Sequence, residues 1–80
     1  MWDVFHSSLM SRHAVREARR ERIPIDMIAD TYEDPDVVNP SSHDDLREIR
    51  ARWFGPEGIE VVVHIVDGRI VSVWRRGVKA

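Results

Sequence analysis

The chain contains no cysteine, which excludes disulfides, thiol catalysis and cysteine-ligated metal, and suits a reducing compartment. No apolar stretch approaches the ~20 residues that a membrane-spanning helix needs, and the first residues show no basic start followed by an apolar run. A soluble, cytoplasmic protein without membrane contact is therefore expected. Lysine is almost missing, since eleven of the twelve basic residues are Arg. Arginine favours bidentate contact with phosphate or carboxylate, although a biased genome base composition leaves the same signature. Metal-site spacing is absent too. The acids between Asp34 and Asp45 lack the Asp-x-Asp-x-Asp-Gly order of a calcium loop, and His6, His13, His43 and His64 lack zinc-ligand spacing. Neither metal nor cofactor is expected.

Eighty residues make one domain, 1–80, burying roughly 60–65% of the surface its unfolded chain exposes. The net charge of −2 hides an uneven distribution: residues 12–22 carry five Arg against two Glu, 26–48 carry eight acids against Arg47, and 49–80 carry six basic groups against three acids.

Trp2–His6 alternates weakly and reads as a short strand at a sheet edge. Ser8 or Ser11 caps a helix over Arg12–Arg22, whose apolar side is only Ala14, Val15 and Ala18, followed by Ile23. Its wet side carries Arg12, Arg16, Arg19 and Arg20, either as a solvated face with Glu17 and Glu21 nearby or as a phosphate-facing patch. Pro24 opens a second helix with Ile25, Ile28, Ala29 and Tyr32 on one side, and Pro35 stops it. Asp34–Asp45 reads as a loop with an extended Val37-Val38 within it. In Leu46–Phe54, Ile49, Ala51 and Trp53 alternate with Glu48, Arg50 and Arg52, which indicates a strand.

Two β-branched runs then meet at Asp67-Gly68, a strong hairpin signal. With those two as the loop, Ile65 faces Ile70, Val63 faces Ser72 and Val61 faces Trp74. A preceding register that keeps Arg50 and Arg52 out of the apolar face sets Trp53 opposite Ile59, because burying two unpaired Arg costs several kcal/mol. The loop before the hairpin is then five residues long or bulged. In this register the helix-free face collects Glu48, Arg50, Arg52, Glu60, His64, Arg69 and Arg75, with Trp74 on the core side and Glu60 opposite Arg75. The expected fold is α+β: two N-terminal helices on one face of a small antiparallel sheet that ends in a three-stranded meander.

Ser11-Arg12-His13-Ala14, Ile23, Ile28, Tyr32, Asp34-Pro35-Asp36, Val61-Val62-Val63, Asp67-Gly68 and Ile70–Arg75 together resemble the RelE/ParE toxin superfamily. They more closely resemble a bacterial family related to it, domain of unknown function 4258. Where that family usually carries Arg four and eight positions after the His, this chain has Glu17 and Glu21, with Arg16 and Arg20 one residue earlier.

The resemblance implies a toxin of a toxin–antitoxin module, either a metal-independent ribonuclease acting on mRNA or, as in some ParE relatives, a gyrase poison. A ribonuclease of this kind needs a base, an acid and cations around the phosphoryl oxygens. His13 and His64 are the candidate proton carriers, and Arg52 and Arg75 the candidate phosphate-holding groups of the reaction. Arg16, Arg20, Arg50 and Arg69 are candidate nucleic-acid contacts. Each also has a structural reading: local pairing for His13, a sheet position for His64, and a cross-strand partner for Arg75. The rival function is a binding module without chemistry, in which Val62, Val66, Val71 and Val73 between the charges meet an antitoxin or a second copy of the chain.

Overall fold

The computed structural model describes residues 9–42 and 44–76; the expected strand at Trp2–His6 lies outside them. Helix α1 spans Arg12–Arg20, with Ser11 as its N-cap accepting the Ala14 N–H on its hydroxyl at 3.1 Å. It ends two residues earlier than Arg22 because a Schellman cap intervenes. The Ile23 N–H returns to the Ala18 carbonyl at 2.9 Å and the Arg22 N–H to that of Arg19 at 3.2 Å, while Arg22 takes φ 55°, the left-handed position such a cap requires. Helix α2 spans Ile25–Glu33 behind Pro24. It buries Ile28 and Thr31, and the Thr31 hydroxyl donates to the Met27 carbonyl at 2.7 Å.

Four strands follow: β1 Val37–Pro40, β2 Arg47–Phe54, β3 Glu57–His64 and β4 Ile70–Arg75, paired in that order. Every pairing is antiparallel. The described residues thus form a small α+β fold, two helices with a four-stranded antiparallel sheet. The extended Val37-Val38 proves to be a strand in its own right. The core joins Met10, Ala14, Ala18, Ile23 and Ile28 to Ile59, Val61, Val63, Ile70 and Val73. Each fully buried Val or Ile contributes roughly 1.5–3 kcal/mol relative to an exposed one.

Both expected registers are displaced by one residue. In the closing hairpin Val61 faces Val73 and Glu60 faces Trp74, so Val73 occupies the core and Trp74 the helix-free face. A type I′ turn needs positive φ at both Asp67 and Gly68, but of the two only Gly68 has it, at 73°. The loop is instead Ile65–Gly68, closed by the His64 N–H to the Arg69 carbonyl and the Gly68 N–H to the His64 carbonyl, both 2.8 Å. The Ile65 N–H goes to the Leu46 carbonyl at 2.8 Å rather than to Ile70. A register shift beside Val62/Val63 leaves Val71 as the extra residue of β4, and the longer loop plus the bulge yields the net slip. Val66 projects from the loop, 72% exposed.

Between β2 and β3 the loop is Gly55-Pro56, since Phe54 faces Glu57. Gly55 supplies the positive φ, 69°, that the first position of a two-residue type II′ loop requires. Arg52 consequently faces Ile59 and Arg50 faces Val61, the side rejected above on the ground that it buries two unpaired cations. They are paired. Arg50 donates to Glu48 at 2.7 Å and to the Tyr32 carbonyl at 2.6 Å, and Arg52 donates to the Asp34 carbonyl and carboxylate at 2.8 and 3.0 Å. The last carbonyls of α2, which lack intrahelical donors, make this register affordable.

Candidate nucleic-acid interface on the first helix

On α1, Ala14 and Ala18 are buried, which turns positions 12, 16, 19 and 20 to the opposite side of a 3.6-residue helix. Arg12, Arg16, Arg19 and Arg20 are all exposed. Arg20 lies 3.9 Å from Glu17; among the described residues no carboxylate is within ion-pair distance of Arg12, Arg16, Arg19 or Arg22. His13, 67% exposed, sits at the border of this stripe with Nε2 3.3 Å from Glu17.

The two glutamates that interrupt the basic run are turned away from the stripe, toward the outer edge of β4. One Glu17 oxygen accepts the Ser72 hydroxyl at 2.6 Å and the Val73 N–H at 3.0 Å, and Glu21 accepts the Arg75 N–H at 3.1 Å. The Ser11 N–H donates to the Ile70 carbonyl at 2.9 Å. Spaced four apart on a helix, the two carboxylates match alternate amides of a strand, so α1 seals an edge that would otherwise offer unpaired N–H groups. The five Arg of residues 12–22 keep a positive field outside because their acids work inside.

The remaining candidates are dispersed. Arg75 was expected on the helix-free face opposite Glu60, but it faces Ile59 and caps the end of α1. Its Nε donates to the Glu21 carbonyl at 2.9 Å, its Nη2 to the Arg22 carbonyl at 2.8 Å, and it pairs with Glu57. Arg50 and Arg52 are likewise held at the end of α2, Arg50 stacked over Tyr32 at 4.7 Å from the ring centre. Arg69 is exposed, with a long 3.4 Å contact to the Met10 carbonyl. His64 stands opposite Arg47, on the side of the sheet away from the helices. Its Nδ1 is buried and makes no hydrogen bond among the described residues, although Asp67 Oδ1 lies 3.5 Å away. The Arg69 N–H that Asp67 accepts, and further the neighbouring His64, hold the Asp67 carboxyl below its ordinary value. The sheet therefore separates the two histidines; of the eight candidates His13, Arg16 and Arg20 share the outer face of α1, while Arg50 and Arg52 are both held at the end of α2.

Sequence reasoning missed two features. The face of the sheet away from α1 and α2 carries Trp53, lying against Gly58, and Trp74, whose Nε1 donates to Glu60 at 2.6 Å; Arg76 pairs with the other Glu60 oxygen at 3.1 Å. Both are half-buried there, and their placement on that side follows from the register slips, which have no local signal. Between α1 and α2 there is also an apolar cleft of about 140 Å³ with Arg19 and Arg22 in its wall. Among the described residues no three His, Asp or Glu side chains converge as metal ligands, and no helix is long and apolar enough to cross a membrane.

The structure thus defines a small α+β domain with one arginine-lined helix face. No family model matches the sequence, and no solved structure matches it. The chain is similar to the small ribosomal subunit protein uS2 of Orientia tsutsugamushi (strain Boryong), 55% identical over 40 residues, 46% of this chain and 14% of that protein. The aligned part is therefore a small fraction of that curated relative's length.

Proposed function

We propose that this domain binds single-stranded RNA through the outer face of α1, as a toxin-like protein of RelE/ParE-like arrangement. The observation that carries the proposal is the stripe Arg12, Arg16, Arg19 and Arg20, exposed and nearly free of carboxylate partners while Glu17 and Glu21 are spent on β4. Guanidinium groups along one helix face hold phosphates at little reorganisation cost, and they release counterions when they do so. The relative's name belongs to the small ribosomal subunit, and a ribosomal RNA setting for this chain is part of the same proposal.

Cleavage is the narrower branch of this reading. If the protein cuts RNA, His13 carries the proton, since it borders the arginine stripe of α1 whereas His64 lies on the opposite side of the sheet. Expression without a partner then arrests growth, His13→Ala abolishes the arrest, and purified protein shortens RNA with or without ribosomes. Harmless expression together with intact RNA removes the ribonuclease branch and leaves binding. DNA-damage signalling with intact RNA would point instead to gyrase.

A second reading rests on the helix-free face. Trp53 and Trp74 beside Val37 and Ile49 form a mixed surface of the kind protein partners cover, an antitoxin or a second copy of the chain. The two readings use opposite sides of the molecule. Anisotropy titration of a labelled RNA separates them: α1 substitutions weaken binding under the first, and only Trp53 or Trp74 substitutions alter association under the second.

A further inference from the structure

The cleft between the helices is lined by Met10, Val15, Ala18, Ile23, Ile25 and Ile28 together with Arg19 and Arg22. Its volume, about 140 Å³, is close to that of an apolar cavity of ~150 Å³ known to hold benzene, so a six-membered ring fits inside it, whereas a fused bicyclic ring would stand partly outside. Its walls are aliphatic, which suits the faces of a flat ring. The two polar groups in its lining are donors only, because a guanidinium has no acceptor. A ligand matching this set presents a flat ring, hydrogen-bond acceptors at its edge and an attached negative charge. Arg19 also belongs to the exposed stripe, so the cleft and the phosphate-facing surface are continuous through one side chain.

We infer that this cleft receives one unstacked pyrimidine base of a single-stranded RNA, with Val15, Ile23 and Ile25 against the ring and Arg19 and Arg22 donating to its carbonyl oxygens. The inference rests on the RNA-binding reading of α1 and adds where a base goes. Cytosine and uracil both offer the O2 acceptor, and cytosine N3 or uracil O4 offers a second. Arg22 is positioned for this role by the helix end itself: its left-handed backbone, φ 55°, turns the chain there, and its carbonyl is pinned by Arg75 at 2.8 Å. Ordinary single-strand binders recognise bases by stacking on aromatic or apolar side chains and follow the backbone with cations. Here the cationic stripe lies on α1 and the apolar cleft lies between α1 and α2, the two meeting at Arg19.

The test compares three decamers of equal length with the unmodified protein by fluorescence anisotropy: oligouridine, oligoadenine, and an oligouridine whose bases are replaced by abasic ribose at every position. One seated base is expected to make oligouridine bind about tenfold tighter than the abasic strand, with the same dependence on salt. Oligoadenine is expected to bind like the abasic strand. Filling the cleft with Ile25→Phe should abolish the oligouridine advantage; circular dichroism reports whether that variant folds, and if it does not, the abasic comparison decides alone. Equal binding of uridine and abasic strands overturns the base pocket while leaving phosphate binding intact. Preference for adenine overturns the pyrimidine assignment, and failure of every strand to bind overturns the RNA reading as well.

Discussion

Replacing Arg12 and Arg16 by Ala isolates the phosphate-holding role of α1, because neither residue lines the cleft and neither is in an ion pair among the described residues. Both are exposed, so their loss should alter stability by no more than ~0.5 kcal/mol. If Arg12, Arg16, Arg19 and Arg20 each neutralise one phosphate, log K falls with log salt at a slope of about −2.8 for a single strand. Raising salt from 50 to 200 mM, fourfold, then weakens binding about 50-fold. The double variant keeps two contacts, so its slope becomes about −1.4 and the same change costs about sevenfold. The assay is anisotropy of a labelled oligouridine over a salt series, with thermal melts alongside. An unchanged slope in a normally folded double variant refutes the assignment, since affinity alone can fall for other reasons but the slope counts the counterions released.

Three further outcomes follow from the geometry. Glu17→Ala leaves the Val73 N–H and the Ser72 hydroxyl at the β4 edge without their acceptor; with charge-assisted hydrogen bonds each worth ~1.5–3 kcal/mol, a loss of about 3–6 kcal/mol is expected, read as a fall in denaturation midpoint at constant slope. Arg22→Gly relieves a left-handed non-glycine residue and should stabilise by ~1 kcal/mol, raising Tm by ~4–8 °C, while removing one of the two donors in the cleft. Asp67 has a folded pKa below 3.8, so its stabilising contribution is full above that ordinary value and is lost as pH falls through the lower folded one. Asp67→Asn should therefore flatten the part of the acid-denaturation profile below about pH 4, and an unchanged profile would show that the Asp67–Arg69 contact plays no part.

The helices were legible because their signals are local: Ser11 caps, Pro24 opens, and Ile25, Ile28 and Tyr32 recur at helical spacing. The existence of β2, β3 and β4 was legible from alternation and from the Asp67-Gly68 punctuation, but their register was not. Arg50 and Arg52 tolerate the helix side of the sheet because carbonyls of Tyr32 and Asp34, at the far end of another element, accept from them, and no local pattern in β2 points to those partners. The same tertiary blindness hid the work of Glu17 and Glu21, whose partners lie more than fifty residues away. Trp74 changed sides for a smaller reason, one bulged residue at Val71. Of the site, the basic stripe was visible as a spacing of Arg12, Arg16, Arg19 and Arg20. The cleft was invisible because α1 and α2 create it only by meeting.

The most direct test of RNA binding by α1 is a map of amide chemical shifts in isotope-labelled protein titrated with oligouridine. The predicted result is perturbation concentrated at residues 12–22 and at Ile25, with the Trp53 and Trp74 indole N–H signals unmoved. Perturbation centred on those two indoles and on Ile49 and Val62, with α1 silent, would contradict it and assign the interaction to the opposite face of the sheet.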